Sequence, residues 1–530
     1  MSDTNFISQV TPIASTWSQD VNDAVYRAIG TGAGGSAPAT PADVLTNLGI
    51  SDSGGAALVG YTQGSIGSVP RTVASKLQES VSVLDFGADP TGVLDSTAAI
   101  QAAINAASNS VLFIHAGHYE YSALTVSNPI TIEGAGYGKT FLNTTNATGD
   151  TISVTGAHVK ISGLTFGSNV SRTSGAYVHA TSTANAFVMN DFEMYSYFIG
   201  VQMDVGGRLT TAEFFNGVPA SVGHSAGILI AGGADQYINK VTMESPGGSS
   251  QPYSGIHVVQ TDNMNITDCD IINHGTDLLI DPGNGQTVVS VWALNSYFDT
   301  ANIGIMVNPT GTGSVVRSHF IGCWTGSQSI AGVEIYNQGT GLLDGIDFIG
   351  HHSMNNAGPA FSLVKGDRLR FLGGAAAGNA EAAFSIQPNV SNFSIIGMDL
   401  GNGYGFGGNQ YAVYINAGTS DNFIIRDNVV TGNTLGTILD GSTGGTKQIA
   451  NNMGYNPLQN TAIAVGASPF TWTNNTGDTV VVYISGGTVS GVTANGNIVA
   501  NATNSSVTVP AGSNIVTTYS SAPTMSYNGF

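Results

Sequence analysis

The chain has 530 residues, a formal net charge of −20 and only 14 Lys and Arg. That balance argues against nucleic acid and anionic membrane as partners, because both are held by basic patches; an acidic polysaccharide stays open if a few local cations face it. Charged residues are 9% of the chain and Gly numbers 71, so Thr, Ser and Asn must cover the surface, as suits strands, subunit seams and sugar contacts.

The first ten residues, MSDTNFISQV, lack a basic n-region and an apolar h-region, and no run of 18 apolar residues follows. No secretory signal and no membrane anchor are expected. Val21, Ala24, Val25 and Ile29 recur at helical spacing after Ser18-Gln19-Asp20, which predicts a helix. TGAGGSAPATP reads as a linker, and a second short helix runs from Pro41 to Gly49. The stretch TVASKLQESV predicts a third, amphipathic helix. These pieces are too short for cores of their own and are expected to pack on copies of themselves or on a partner.

SVLDFGADPTG reads as a strand and an Asp-Pro-Thr-Gly turn. The Ala-rich DSTAAIQAAINAA after it predicts a helix capped by Asp95 or Ser96. VLFIHAGHYEY and ITIEGAGYG are strand-like. A helix laid across the first coil would hide the open strand edge that a solenoid exposes.

Further on, short apolar strands recur between Gly and Asn. Anchors at Phe320, Phe348, Phe371, Ile395 and Ile425 give steps of 28, 23, 24 and 30 residues, the signature of a stacked β-solenoid. Each coil buries its inward side chains on its neighbours and leaves a long ridged surface suited to a polymer. Residues 454–530 change to longer strands with hairpin-like turns and a single charged residue, Asp478. They predict an antiparallel β region of the kind buried in an oligomer seam. The expected division is 1–80, an N-terminal region of short helices and neck; 81–453, the solenoid, with a helix-capped opening at 81–158 and coils at 159–453; and 454–530, a C-terminal β domain for trimerisation or glycan contact.

Cys269 and Cys323 lie two coils apart, roughly 10 Å at about 4.8 Å per strand layer. That is beyond disulfide reach, so both read as small buried hydrophobes. No metal constellation is visible and no cofactor is implied. His351 and His352 are adjacent, so their side chains should point to opposite faces of a strand.

SVLDFGADPTGVLDSTAAIQAAI, FIHAGHYEY and ITIEGAGYG together resemble the opening of the pectate-lyase-like tailspikes of bacteriophages, and the coil spacing after them is similar. WSQDVNDAVYRAIG resembles the virion-attachment helix of such spikes, and NNMGYNP the hinge to their C-terminal domain. The likeness covers roughly the whole chain. It implies an all-β, right-handed parallel β-helix and a homotrimer on a virion tail, joined to a tail or baseplate protein through residues 1–80. It also implies recognition or cleavage of a bacterial surface polysaccharide: capsule, exopolysaccharide or O-antigen. It supplies no catalytic residues, and the ordered Asp clusters and Arg-x-Lys pattern of polygalacturonase-like enzymes are absent.

Glycoside hydrolysis needs two carboxyl groups flanking the bond, one of them protonated. Aligning TMES, DIIN, SYFDT, GCWTG and GHHS puts Glu244, Asn273 or His274, Asp299, Trp324 and His352 in one vertical file. Glu244 and Asp299 are the expected acid and base. They stand two layers apart, roughly 9.6 Å, close to the ~6.5–9.5 Å of inverting enzymes. Trp324 would be a sugar platform, with Asn273, His274 and His352 as binding partners. Asp268 and Asp270, sharing a face at period two, are the rival pair, grouped with His274 and Asp277; Asp191 with Glu193 is a third cluster. Tyr195 and Trp292 are further candidate platforms, and the asparagines read as stacked ladders. A lyase would need a cation near a uronate and a base. Among basic residues in the coils only Arg368 and Arg370 cluster, which favours hydrolysis; a lyase and a non-catalytic adhesin are the alternatives.

Overall fold

The computed structural model describes residues 54–215, 226–245, 253–455 and 460–529; the two helices expected before residue 50 lie outside them. The chain forms two compact units, residues 1–81 and 82–530. In the first, the expected third helix is Val73–Leu77, capped by Thr72, whose Oγ1 accepts from the Ser75 N–H at 3.1 Å.

In the second unit the segment expected as a strand, SVLDF, is instead a 3-10 helix over Val83–Phe86. Ser82 starts it by accepting from the Leu84 N–H at 3.1 Å, and Gly87 ends it at φ 85°, where a side chain would be strained. The Asp89 carboxylate takes the N–H groups of Thr91, Val93 and Leu94 and so fixes the following turn. These bonds, with that of the Thr91 hydroxyl first, hold Asp89 down at about 2. Thr97–Ala106 is the Ala-rich helix. Asp95 accepts from its Thr97 N–H at 2.9 Å, while Ser96 is drawn away to the Asp89 N–H. The Gln101 amide bonds both the N–H and the C=O of Thr125, at 2.8 and 2.9 Å. One side chain thereby satisfies backbone that an open edge would leave bare.

The coils form a parallel β-helix of three sheets. One coil shows the plan: Thr276–Ile280 in the first sheet, Thr287–Leu294 in the second, Tyr297–Asp299 in the third. Each pairs in parallel with its counterpart one coil on, Ile303–Val307, Ser314–Ile321 and Trp324–Gly326. The five sequence anchors do occupy one inward file, Phe320, Phe348, Phe371, Ile395 and Ile425. The rings of Phe320, Phe348 and Phe371 stack with centroids 4.6 and 5.4 Å apart.

Two kinds of corner hold the coils in register. Between the second and third sheets Asp268, Asn295, Gly322 and Gly350 all adopt positive φ, 53°, 48°, 61° and 62°. Gly, Asn and Asp tolerate that region best. Between the third and first sheets an internal ladder runs through Gln328, Asn356, Asn379, Asn409 and Asn433. The amide N–H2 groups of Asn356, Asn379 and Asn409 donate to the carbonyl of the next rung at 2.7, 2.7 and 3.1 Å. Cys269 and Cys323 are both free and buried. Beyond the coils, strands between Thr461 and Gly529 build two four-stranded antiparallel sheets, around Val480, Val482, Val492, Val509 and Ile515.

Candidate functional site on the third sheet

Strands of the third sheet are short, and alternate side chains point outward. Two outward files result. One carries Glu193, Glu213, Thr242, Asp270, Tyr297, Trp324 and His352 in successive layers. The other, two residues along, carries Tyr195, Phe215, Glu244, Ile272, Asp299, Gly326 and Met354.

Glu244 and Asp299 therefore do share a file, two layers apart, with Ile272 between them. The other expected members do not. Trp324 and His352 stand two residues over, still on the outer face, because an even shift preserves the face. Asn273 is off by one; it turns the corner at φ 66° and lies outside the ladder. His274, expected to touch substrate, is fully buried inside the coil with Asp277, Nδ1 to Oδ1 3.1 Å. The rival pair also separates. Asp270 is an exposed member of the acid file, whereas Asp268 is a corner residue at φ 53°, so the period-two alternation does not run through it. Asp191 is likewise a corner residue, φ 56°. His351 faces inward against Phe348 and Phe361, and His352 faces out.

The acids differ in surroundings. Glu193 is 8% exposed and accepts from Tyr195 at 2.5 Å and Thr165 at 3.1 Å, so its carboxylate is spoken for. Glu244 is exposed and Asp299 half-buried. Asp299 Oδ1 is buried with no hydrogen-bond partner. Burial raises the Asp299 carboxyl above the ordinary carboxylate range, and the Asp270 charge adds to that against the bonds from Thr300. Desolvation by its surroundings, then the Glu244 charge, raise Asp270. Glu244, Asp270 and Asp299 thus sit in three consecutive layers, with Glu244 acting on Asp270 and Asp270 on Asp299. Behind them, burial holds Asp277 well above its usual range and pushes His274 down to about 3.

Aromatic rings close the groove at both ends. Tyr195 stacks on Phe215 with centroids 5.6 Å apart. At the other end exposed Tyr297 leads to Trp324, which like Phe406 packs against the cluster of Met354, Ala375 and Ala377, and to His352, tilted beside Tyr404 at 5.3 Å. Sequence reasoning missed Glu213, Phe215 and Tyr297. The alternation FEMY, AEFF, VTME would have revealed the first two, had the alignment been extended downward. Trp292 lies on the second sheet, away from these acids. Among the described residues no group of three His, Cys, Asp or Glu is arranged to hold a metal ion.

Residues 80–342 match the family described as Rhamnogalacturonase A/epimerase, pectate lyase-like. No curated protein sequence matches the chain. Solved structures share the fold at low identity. The Dettilon tailspike protein is 13% identical with a TM-score of 0.56, over 86% of this chain and 95% of that one. A mutant tailspike protein of E. coli bacteriophage HK620 is 12% identical with a TM-score of 0.55, over 91% and 98%. A further HK620 tailspike, in complex with a pentasaccharide, is 12% identical with a TM-score of 0.51, over 91% and 98%.

Proposed function

We propose that this protein is a phage tailspike that binds and depolymerises a bacterial surface polysaccharide by endo-glycosidic hydrolysis in the third-sheet groove. The observation that carries the reading is the set Glu244, Asp270 and Asp299 in consecutive layers, with burial raising Asp299. Asp299, held protonated to higher pH than an ordinary carboxyl, serves as general acid. Glu244, exposed two layers away, serves as the base that activates water; roughly 9.6 Å of backbone separation leaves room for that water, as inversion requires. Asp270 lies between them and raises the acid. Trp324, His352 and Tyr297 hold sugar rings on one side of the cleavage point, and Tyr195 with Phe215 on the other.

A uronate lyase needs a cation beside its base. In the strands that carry the acid groove the basic residues are Arg208, in the second-sheet portion of its strand, and Lys240, at the corner between the second and third sheets with φ 54°; neither stands in the third-sheet files, which favours hydrolysis. Self-association as a homotrimer, with residues 454–530 at the seam and 1–80 joined to the tail, completes the reading; the tailspikes of the same fold support it.

The test uses purified surface polysaccharides. New reducing ends are expected; new ultraviolet absorbance would mean a lyase, and retention without shortening an adhesin. Glu244→Gln and Asp299→Asn should each lower cleavage by roughly 10²–10⁴-fold, the worth of general acid or base help, while Asp268→Asn cleaves normally. Undiminished cleavage in both amide variants would place the chemistry elsewhere.

A further inference from the structure

The second sheet carries a different chemistry. Of the chain's 14 Lys and Arg, half lie in its strands: Lys160, Arg208, Arg317, Arg368, Arg370, Arg426 and Lys447. One outward file of that sheet reads Arg208, Tyr237, Asn265, Trp292, His319, Asp347 and Arg370 in successive layers. At about 4.8 Å per layer it runs roughly 29 Å along the axis.

The members are held, not merely adjacent. Arg208 lies over the Tyr237 ring at 5.2 Å. Trp292, 39% exposed, leans on His319 with centroids 4.3 Å apart. Asp347, with a side chain only 4% exposed, accepts from Arg370 Nε at 2.6 Å and lies 3.0 Å from His319 Nδ1. That buried carboxylate aims the Arg370 guanidinium while leaving 55% of the side chain exposed. A recess lies at each end of the file. One, of about 850 Å³, includes Arg208, Tyr237, Asn185 and Asp235. The other, of about 380 Å³, includes Arg370, Arg368, Asn392, Ser394 and Asn422. Both volumes lie in the range of small-ligand sites.

We infer that this file is a second, non-catalytic glycan track, and that its ligand is an extended sugar chain bearing carboxylates. Rings stack the apolar faces of sugars, and a fixed arginine fork recognises a carboxylate. A sugar unit in an extended chain advances by about the depth of one strand layer, so successive units meet successive side chains. Charge complementarity selects the occupant: in a chain of net charge −20, the cations gather on this sheet. The track stands apart from the acid groove and does not rest on its catalysis.

The test is calorimetric titration of the full-length protein with galacturonate and alginate oligomers of two to six sugars, with maltohexaose as the neutral control. At least one acidic hexamer should bind more tightly than its dimer and than maltohexaose. Trp292→Ala, Arg370→Gln and Arg208→Gln should each weaken the hexamer about tenfold, as truncating aromatic and Arg anchors does. Arg208→Gln guards against a Trp292→Ala variant that fails to fold, because Arg208 is exposed at the far end. Absence of binding by both acidic hexamers, equal binding of maltohexaose, or affinity unmoved by the substitutions overturns the inference. So does a change of mass in light scattering for Trp292→Ala, which would make the face a contact between copies of the chain.

Discussion

His179→Gln removes the cation from a three-residue clamp on the first sheet. His179 Nδ1 contacts Asp150 Oδ2 at 2.6 Å and Nε2 contacts Asp204 Oδ2 at 2.8 Å, so one imidazolium ties together residues from successive coils. Burial opposes its charge, but the two carboxylates outweigh that and push His179 up to about 9. A histidine raised from an unfolded value of ~6.5 gives stability that is complete below that value and lost as pH rises through about 9. Raising a pKa by one is worth about 1.4 kcal/mol; discounted for partial solvent screening, the clamp contributes about 1–3 kcal/mol. The assay is the guanidinium unfolding midpoint of parent and variant at pH 6 and pH 10. The parent should lead clearly at pH 6, and the gap should narrow by pH 10. Comparing the two proteins at each pH cancels the tyrosines and lysines that titrate in both. A gap that stays constant, or widens with pH, refutes the clamp.

If Asp299 is the general acid, the alkaline limb of the pH–rate profile reports its ionisation. Asp270→Asn removes a charge that raises it, so that limb should move to lower pH. Asn379→Ala breaks the ladder between Asn356 and Asn409 and should lower the denaturation midpoint, since a buried polar group left unpaired costs about 1–3 kcal/mol; an unchanged midpoint would show the ladder is not stabilising. Light scattering of the full chain should give about three times 54.1 kDa, and deletion of 454–530 should give monomer or aggregate; a stable monomer of the intact chain would remove the trimer.

The coil period was legible because it is written in bulky inward residues. Phe320, Phe348 and Phe371 can only stack if each coil returns to the same point, so their spacing is the fold. The outward faces carry no such constraint. Register there depends on how many residues each corner absorbs, and the corner that holds Asp268, Asn295 and Gly322 also holds Thr211 and Lys240, so it breaks the alternation without one residue type to mark it. Hence Glu244 and Asp299 were placed together while Asn273 slipped by one and Trp324 by two. A slip of one changes a ligand into a corner residue; a slip of two leaves a groove residue in the groove. Burial of His274 was not legible at all, because a polar residue beside a corner points inward or outward according to backbone angles that the sequence does not display.

Asp277 is the sharpest departure from the repeat. Glycine holds its position in the three coils below and the two above: Gly200, Gly227 and Gly255, then Gly304 and Gly332. A Cβ at Gly304 would meet the Gly332 carbonyl at 2.8 Å, and one at Gly255 would meet Ile271 at 2.3 Å, so the neighbouring coils have no space for a side chain. Here a whole carboxyl is admitted, fully buried, with Oδ2 unpaired. Burial raises it well above the usual range, helped by the charges of Asp299 and Asp270. A carboxyl raised in the folded state loses stability as pH climbs from its unfolded value of ~3.9 toward its folded one. Asp277→Asn keeps the shape and the acceptor for His274 but cannot ionise. The two proteins should therefore unfold at similar midpoints near pH 4, and the asparagine variant should pull ahead as pH rises to 7. A difference that stays flat over that range would mean the carboxyl is not held protonated, and the coupling of this interior acid to the groove acids above it would fail with it.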